Sequence, residues 1–187
     1  IFIVGVAALI GVGYYLVQVG NDCGSFPFPS IASKPVVRHE HVQLMIIVNG
    51  QNITMPVNIG HGDSGGCIQP VHIHADPGDG GPNVIHIESP TANTYTLGDF
   101  FNVWASTPNI GGPTPVTFNK NQLFNYTASN GDEIRMYVNG VESDQYQNLT
   151  LASHQTIVIV HGNSASTPWA RYQQVSAEPW PFSQLPQ

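Results

Sequence analysis

Histidine is the residue type with which this chain is best equipped for chemistry. Six of its eight histidines lie between His39 and His86, where they form two His-x-His pairs, one His-x-Glu pair and one single residue. The set comprises His39, His41, His61, His72, His74 and His86, with Glu88 as the acidic partner. Alternate residues of a β-strand point to the same side of a sheet, so each pair projects two polar side chains together. Imidazole binds zinc, copper, nickel and iron, and the pattern therefore predicts a transition-metal site.

Apolar residues around two of these pairs indicate which way the histidines face. In the predicted strands 71–74 and 84–88, Ile73, Ile85 and Ile87 alternate with histidines. If the two strands pair as a hairpin, one face is apolar and the other presents all the polar members together. Neighbouring strands lie about 4.8 Å apart, so side chains on one face can share an ion. We expect His39 and His41 either to complete this site or to form a second one.

The donor set is compatible with several kinds of metal site. Three histidines with an open coordination position are typical of a catalytic zinc or copper centre, whereas four protein ligands are typical of a structural or storage site. Glu88 suits a ligand, a residue that orients a histidine, or a general base. His61 lies in a glycine-rich loop, while His154 and His161 are interpreted as a surface residue and a strand-end residue outside the site. We predict copper or zinc as the ion; ordinary histidines on a polar face are the alternative.

Charge and motifs exclude other classes of function. Five Lys and Arg stand against twelve Asp and Glu, giving a net charge of −7, whereas nucleic-acid binding requires a basic face. The chain has no H-E-x-x-H motif, nucleophile elbow, phosphate-binding loop or dinucleotide fingerprint, so an enzyme ranks behind a metal-binding domain.

Charged residues make up only 9% of the chain, and a surface of amides and hydroxyls suits packing against subunits. A structural or interaction subunit of a filament or membrane complex is therefore the second hypothesis.

Turn and capping signals define the elements that must position the histidines. The apolar run 42–48 ends in Asn49-Gly50, a strong hairpin signal, and a returning strand is predicted at 53–59. Thr96, followed three residues later by Asp99, predicts the start of a short helix. Further strands are predicted at 133–138 and 156–160. The predicted fold is α+β and mainly β, a β-grasp-like sheet of hairpins with one short helix, and a β-sandwich is the alternative.

The chain divides into four predicted parts. Residues 1–20 are apolar and uncharged at their core and are interpreted as a transmembrane anchor, with a pilin-like assembly helix as the alternative. Residues 21–37 form a linker rich in Gly, Pro and Ser, and residues 38–166 form the histidine-rich β domain. Residues 167–187 are rich in proline and aromatic residues. We expect this tail to lie along the domain or a neighbouring chain without forming a helix.

Cysteines and glycosylation signals favour a location outside the cytoplasm. Three N-x-[ST] sequons begin at Asn52, Asn125 and Asn148. In an exported domain the two cysteines, Cys23 and Cys67, predict a disulfide, with a thiolate ligand at Cys67 as the alternative. Together with the anchor, these features predict a membrane-tethered domain on the extracytoplasmic face.

Four segments together resemble a group of small exported domains of archaea and bacteria that has no assigned reaction. They are HEHVQLMIIVNG, IQPVHIHADPG, VIHIESP and TLGDFFNVW, and they lie between residues 38 and 162. The resemblance implies an exported, often membrane-tethered domain whose histidines matter together, and it implies no reaction. The chain does not resemble the cupredoxins, whose late Cys–His–Met ligand loop has no counterpart after residue 120. This difference argues against electron transfer through a blue-copper centre.

Overall fold

A computed structural model describes residues 23–63 and 66–179 of the chain. The predicted anchor at residues 1–20, the first residues of the linker and the last eight residues of the tail lie outside the described residues. Within the described part, none of the helices has the length and apolar character needed to cross a bilayer. The proposed division into an anchor, a linker, a domain and a tail stays a prediction.

The described residues form ten strands and two α-helices. The strands are β1 (Arg38–Val48), β2 (Gln51–Ile53), β3 (Val71–His72), β4 (Val84–Ser89), β5 (Phe118–Asn119), β6 (Gln122–Leu123), β7 (Tyr126–Thr127), β8 (Asp132–Val138), β9 (Val141–Ser143) and β10 (Gln155–Asn163). The helices are α1 (Leu97–Ser106) and α2 (Trp169–Ser176), and short 3-10 helices occur at Pro77–Asp79, Gly81–Asn83 and Tyr146–Asn148.

Seven of the strands form one sheet at the centre of the molecule. Its order is β3-β4-β1-β10-β8-β9, with β2 paired to part of β1, and β5, β6 and β7 form a separate small sheet. The long strands β1 and β10 are parallel, whereas the remaining pairs are antiparallel. The prediction of a mixed, mainly β architecture is confirmed.

The side chains of strand β1 point alternately to the two faces of this sheet. Val42, Leu44 and Ile46 are completely buried on the face that α1 covers. The helix contributes Phe100 and Trp104 to the same core, and each large apolar side chain buried in this way contributes about 1.5–3 kcal/mol. The predicted helix start is confirmed: the Thr96 hydroxyl accepts from Asp99 N–H, while the Asp99 carboxylate accepts from Thr96 N–H. The alternate side chains of β1, including His41, point to the opposite face.

Helix α2 covers only part of that opposite face. Its Tyr172 packs with Tyr137, Val158 and Val160 of β8 and β10, so the area over β3, β4 and the start of β1 is left to the histidines. The prediction that the tail contains no helix was wrong for the described part. Its four prolines, at residues 168, 179, 181 and 186, all lie outside Trp169–Ser176 and therefore do not interrupt the helix.

Two strands are shorter than their sequence patterns predict. The returning strand predicted at 53–59 ends at Ile53, because Pro56 has no N–H for a ladder and the chain then turns at Asn58 and Gly60, both with positive φ. The strand predicted at 71–74 consists only of Val71 and His72. His74 therefore lies beyond the end of β3, where the chain leaves for the turn before β4.

Candidate metal centre

Three neighbouring strands bring the histidine pairs together. In the β1–β4 ladder His41 lies opposite His86 and His39 opposite Glu88, and in the β3–β4 ladder His72 lies opposite His86. The expected pairing of the second and third histidine strands is therefore present. The sequence left open whether the first pair joins the same site, and the structure places it there because β1 is the other neighbour of β4.

The six histidine rings form one continuous cluster. Centroid separations are 4.7 Å for His39–His41, 4.5 Å for His41–His86, 4.4 Å for His86–His74, 4.6 Å for His74–His72 and 5.2 Å for His72–His61. We call this set, His39, His41, His61, His72, His74 and His86, the histidine cluster. His61 belongs to it although it lies in a loop, because its bridge to Ile68 folds the loop against β3.

Ligand atoms within the cluster fall into groups of three. The first triad is His39, His41 and His86, and the second triad is His61, His72 and His74. In each triad the potential ligand atoms lie within 4.8 Å of one another, and the same holds for His74, His86 and Glu88. Nε2 of His72 and Nε2 of His74 are 2.9 Å apart, a hydrogen-bond distance that is also close to the ~3.3 Å between two nitrogens on one tetrahedral zinc ion. The structure thus shows histidine groups that could hold a metal ion, without indicating which metal.

Backbone carbonyls orient the two innermost rings. His72 is completely buried and donates from Nδ1 to the carbonyl oxygen of Gln69 at 2.7 Å, which leaves the Nε2 lone pair for a ligand role. His86 donates from Nε2 to the carbonyl oxygen of Asp79 at 2.8 Å, which leaves Nδ1. A carbonyl oxygen only accepts, so each contact determines the tautomer of its ring, as the outer partners of metal-ligating histidines do.

Several buried ring nitrogens of the cluster make no hydrogen bond to the described part of the chain. Nε2 of His39, Nδ1 of His41, Nε2 of His61 and Nδ1 of His86 have no hydrogen-bond partner among the described residues. A buried polar atom without a partner costs about 1–3 kcal/mol, so four such atoms in one place are unusual in a native protein. Metal ions accept lone pairs of this kind, and the donor set therefore fits a metal ion.

Burial keeps the inner histidines neutral at physiological pH. Desolvation, reinforced by the charge that a protonated His39 would carry, lowers the pKa of His41 from 6.5 to about 4. Desolvation also lowers the pKa of His86 to about 3, and it lowers the pKa values of His72 and His61. Neutral imidazole is the form that binds metal, so protons compete weakly for these ligands at pH 7.

Two carboxylates accompany the cluster. Oε1 of Glu88 lies 3.4 Å from Nε2 of His39, and Oδ2 of Asp79 lies 3.9 Å from Nδ1 of His74. Glu88 was a candidate for the histidine site from the sequence, whereas Asp79 was not. The only sequence signal for Asp79 is its position in the turn that joins two histidine strands. The nearby Asp76 has a structural role instead: its carboxylate accepts a hydrogen bond from Gly78 N–H and caps the start of the 3-10 helix Pro77–Asp79.

An open cleft borders the second triad. It has a volume of about 470 Å³ and is lined by His61 together with Asn58, Asp63, Thr107 and Asn109, among other residues. Polar side chains therefore surround the approach to His61 from solvent.

Other sequence candidates lie away from the cluster. Cys23 and Cys67 form a disulfide, so the alternative of Cys67 as a thiolate ligand was wrong. His161 faces the opposite side of the sheet and donates from Nε2 to the Thr127 carbonyl oxygen at 3.2 Å. His154 is exposed in the loop before β10, as predicted. The sequon residues Asn52, Asn125 and Asn148 are all exposed.

Comparisons of the chain with protein-family models, with curated proteins and with solved structures found no match. The resemblance to exported histidine-rich domains stays a prediction. The function is therefore argued from the histidine cluster itself.

Proposed function

We propose that this protein is a membrane-anchored, extracytoplasmic domain that binds a transition metal, copper or zinc. The observation that carries the proposal is the histidine cluster, in which four buried ring nitrogens lack hydrogen-bond partners among the described residues. Imidazole donors of this kind suit copper and zinc, whereas calcium and magnesium prefer oxygen ligands. We propose metal binding and no reaction, because the histidine donors support the binding of an ion and do not by themselves indicate a substrate.

The proposed location follows from features outside the cluster. The disulfide between Cys23 and Cys67 suits an oxidising compartment, and the three exposed sequon residues are accessible to a glycosylating enzyme. The apolar segment at residues 1–20 is the proposed anchor. An accessory subunit that holds or delivers metal beside a membrane metalloenzyme would combine these properties.

We also propose that the fold is β-grasp-like. Two antiparallel pairs, β4–β1 and β10–β8, meet through the parallel pair β1–β10, and α1 crosses one face of the resulting sheet. This order supports the β-grasp interpretation over a sandwich of two equal sheets.

Metal analysis of the purified full chain tests the binding function. We expect bound copper or zinc in the wild-type protein and none in a H39A/H41A/H72A/H74A variant, because these changes remove two of the three donors of each triad. The control is H154N, since His154 lies outside both triads and asparagine tolerates its positive φ of 61°. Stoichiometric metal in a folded H39A/H41A/H72A/H74A variant would contradict the proposal.

A structural or interaction subunit is the second candidate. Two apolar side chains are exposed: Val37, directly before β1, is 68% accessible, and Val141, on edge strand β9, is 66% accessible. Contacts between copies or with another subunit would cover them. Light scattering on the wild type and on V141K tests this candidate, which predicts a smaller assembly for the variant. An unchanged size would count against assembly through β9.

A further inference from the structure

The histidine cluster divides into two sets of donors. The first triad and the second triad have no residue in common, and each contains three histidines within 4.8 Å of one another. A tetrahedral zinc or copper ion takes about four ligands in all. Six imidazoles therefore exceed what one ion of this class uses, whereas two ions use three each.

In each triad a different backbone carbonyl holds one ring in place, and each triad has its own exposure to solvent. In the first triad the Asp79 carbonyl holds His86, and the His39 side chain is 31% exposed. In the second triad the Gln69 carbonyl holds His72, while His61 borders the open cleft. Two fixed rings, each with its own route from solvent, indicate two separate positions for an ion.

Glu88 lies where the triads adjoin. Its carboxylate groups with His86 of the first triad and His74 of the second, and Oε1 is 3.4 Å from Nε2 of His39. The rings of His74 and His86 are themselves only 4.4 Å apart at their centroids. Two neighbouring cations repel each other, and an anion between them lowers that repulsion.

We propose that the histidine cluster binds two transition-metal ions side by side, one in each triad, with the Glu88 carboxylate between them. This inference rests on the proposed metal-binding function. Three protein donors leave a coordination position at each ion for an exchangeable ligand such as water or a small anion.

Titration of the metal-free full chain with Zn(II), followed by elemental analysis after desalting, counts the ions. We expect two per chain in the wild type and one per chain in both H39A and H61A, since each change removes a donor from one triad only. Both side chains are partly exposed, so their loss spares the core. H39F and H61F retain an aromatic ring without a donor, and they replace the alanine variants if circular dichroism shows those to be unfolded. H154N, outside both triads, is expected to bind two.

E88Q tests the carboxylate between the ions. We expect the affinity for the first Zn(II) to be retained and that for the second to fall about tenfold or more, the order of effect found for residues that support a metal site. With Cu(II) as the probe, the wild type should show the electron paramagnetic resonance of coupled ions, and H39A and H61A that of an isolated ion.

Each of four results would overturn the proposal or one part of it. One ion in the wild type and none in H39A or H61A would show a single shared site, and the proposed metal-binding function would stand. Two ions with uncoupled resonance signals would overturn their adjacency, and an unchanged second affinity in E88Q would overturn the role of Glu88. No bound ion at all would overturn both the pair and the proposed function.

Discussion

Single residues of the histidine cluster differ in how firmly each ring is held. His72 and His86 are buried and oriented by backbone carbonyls, so their lone pairs point in directions that the backbone determines. His39 and His61 are partly exposed, and Nε2 of each has no hydrogen-bond partner among the described residues. In the proposed metal site the inner rings would define where an ion lies, and the outer rings would adjust to close around it.

Depressed histidine pKa values make the metal-free protein sensitive to acid. The unfolded chain protonates these histidines near pH 6.5, whereas in the folded state the pKa is about 4 for His41 and about 3 for His86. Below pH 6.5 the unfolded state binds more protons, so the free energy of unfolding falls as the pH falls, until these folded-state values are reached. Above pH 6.5 these histidines are neutral in both the folded and the unfolded state, so they take nothing from the free energy of unfolding there.

Urea unfolding of the metal-free chain at pH 7.5, 6 and 5 measures this loss. We expect the free energy of unfolding to fall by up to about 1 kcal/mol per pH unit for each of the two histidines. H86N has one such histidine fewer and should show a shallower dependence on pH. Equal free energies at pH 7.5 and pH 5 would contradict the prediction.

At the scale of the elements, the loop between β2 and β3 brings His61 to the histidine cluster. Gly60, with φ of 84°, donates its N–H to the Thr107 hydroxyl at 2.9 Å, and its carbonyl accepts from Gln69 N–H at 2.8 Å. A Cβ at this position would lie 2.8 Å from Cβ of His72 and 3.1 Å from the Val71 carbonyl oxygen. The close approach of loop and strand therefore requires glycine here.

Two glycine-to-alanine variants separate backbone strain from this close contact. G50A adds a Cβ at a similar φ of 79° with no neighbouring atom within 4 Å, so it measures strain alone, about 1–2 kcal/mol. We expect G60A to lower the free energy of unfolding by more than G50A and also to weaken Zn(II) binding at the second triad. Urea unfolding and Zn(II) titration of both variants check this. Equal effects on stability and unchanged binding in G60A would show that the contact is unimportant.

At the scale of the whole molecule, the disulfide connects the start of the described chain to the loop that carries His61. Cys23 and Cys67 are separated by 44 residues, and neighbouring contacts, such as Ile31 N–H to the Ile68 carbonyl oxygen at 2.8 Å, continue the attachment. Cross-links that close loops of this length stabilise folded proteins by about 2–4 kcal/mol, mainly by restricting the unfolded chain.

Removal of this cross-link should destabilise the protein without abolishing metal binding. We expect C23S/C67S to lose about 2–4 kcal/mol of unfolding free energy in urea and to retain ion binding at the first triad, which no loop residue supplies. Adding a phosphine reductant to the metal-free wild type should reproduce the loss and leave the variant unaffected. A variant as stable as the wild type would contradict the expected contribution.

Local features of the fold could be predicted from the sequence because they depend on neighbouring residues. The alternation of His72 and His86 with isoleucines indicates their common polar face, and Thr96 with Asp99 indicates where α1 begins. Helix α2 was not predicted, because the high proline content of the whole tail argues against a helix, although Trp169–Ser176 itself contains no proline.

The sequence by itself determined the donor chemistry, the strand-like spacing of the histidines, the acidic charge and the availability of two cysteines. Only the tertiary structure decided that β1 lies beside β4 and parallel to β10, that His61 packs against His72, and that Asp79 lies beside His74. The reason is that strand neighbours and loop closure depend on the burial of apolar faces between residues far apart in the chain, which local spacing does not encode.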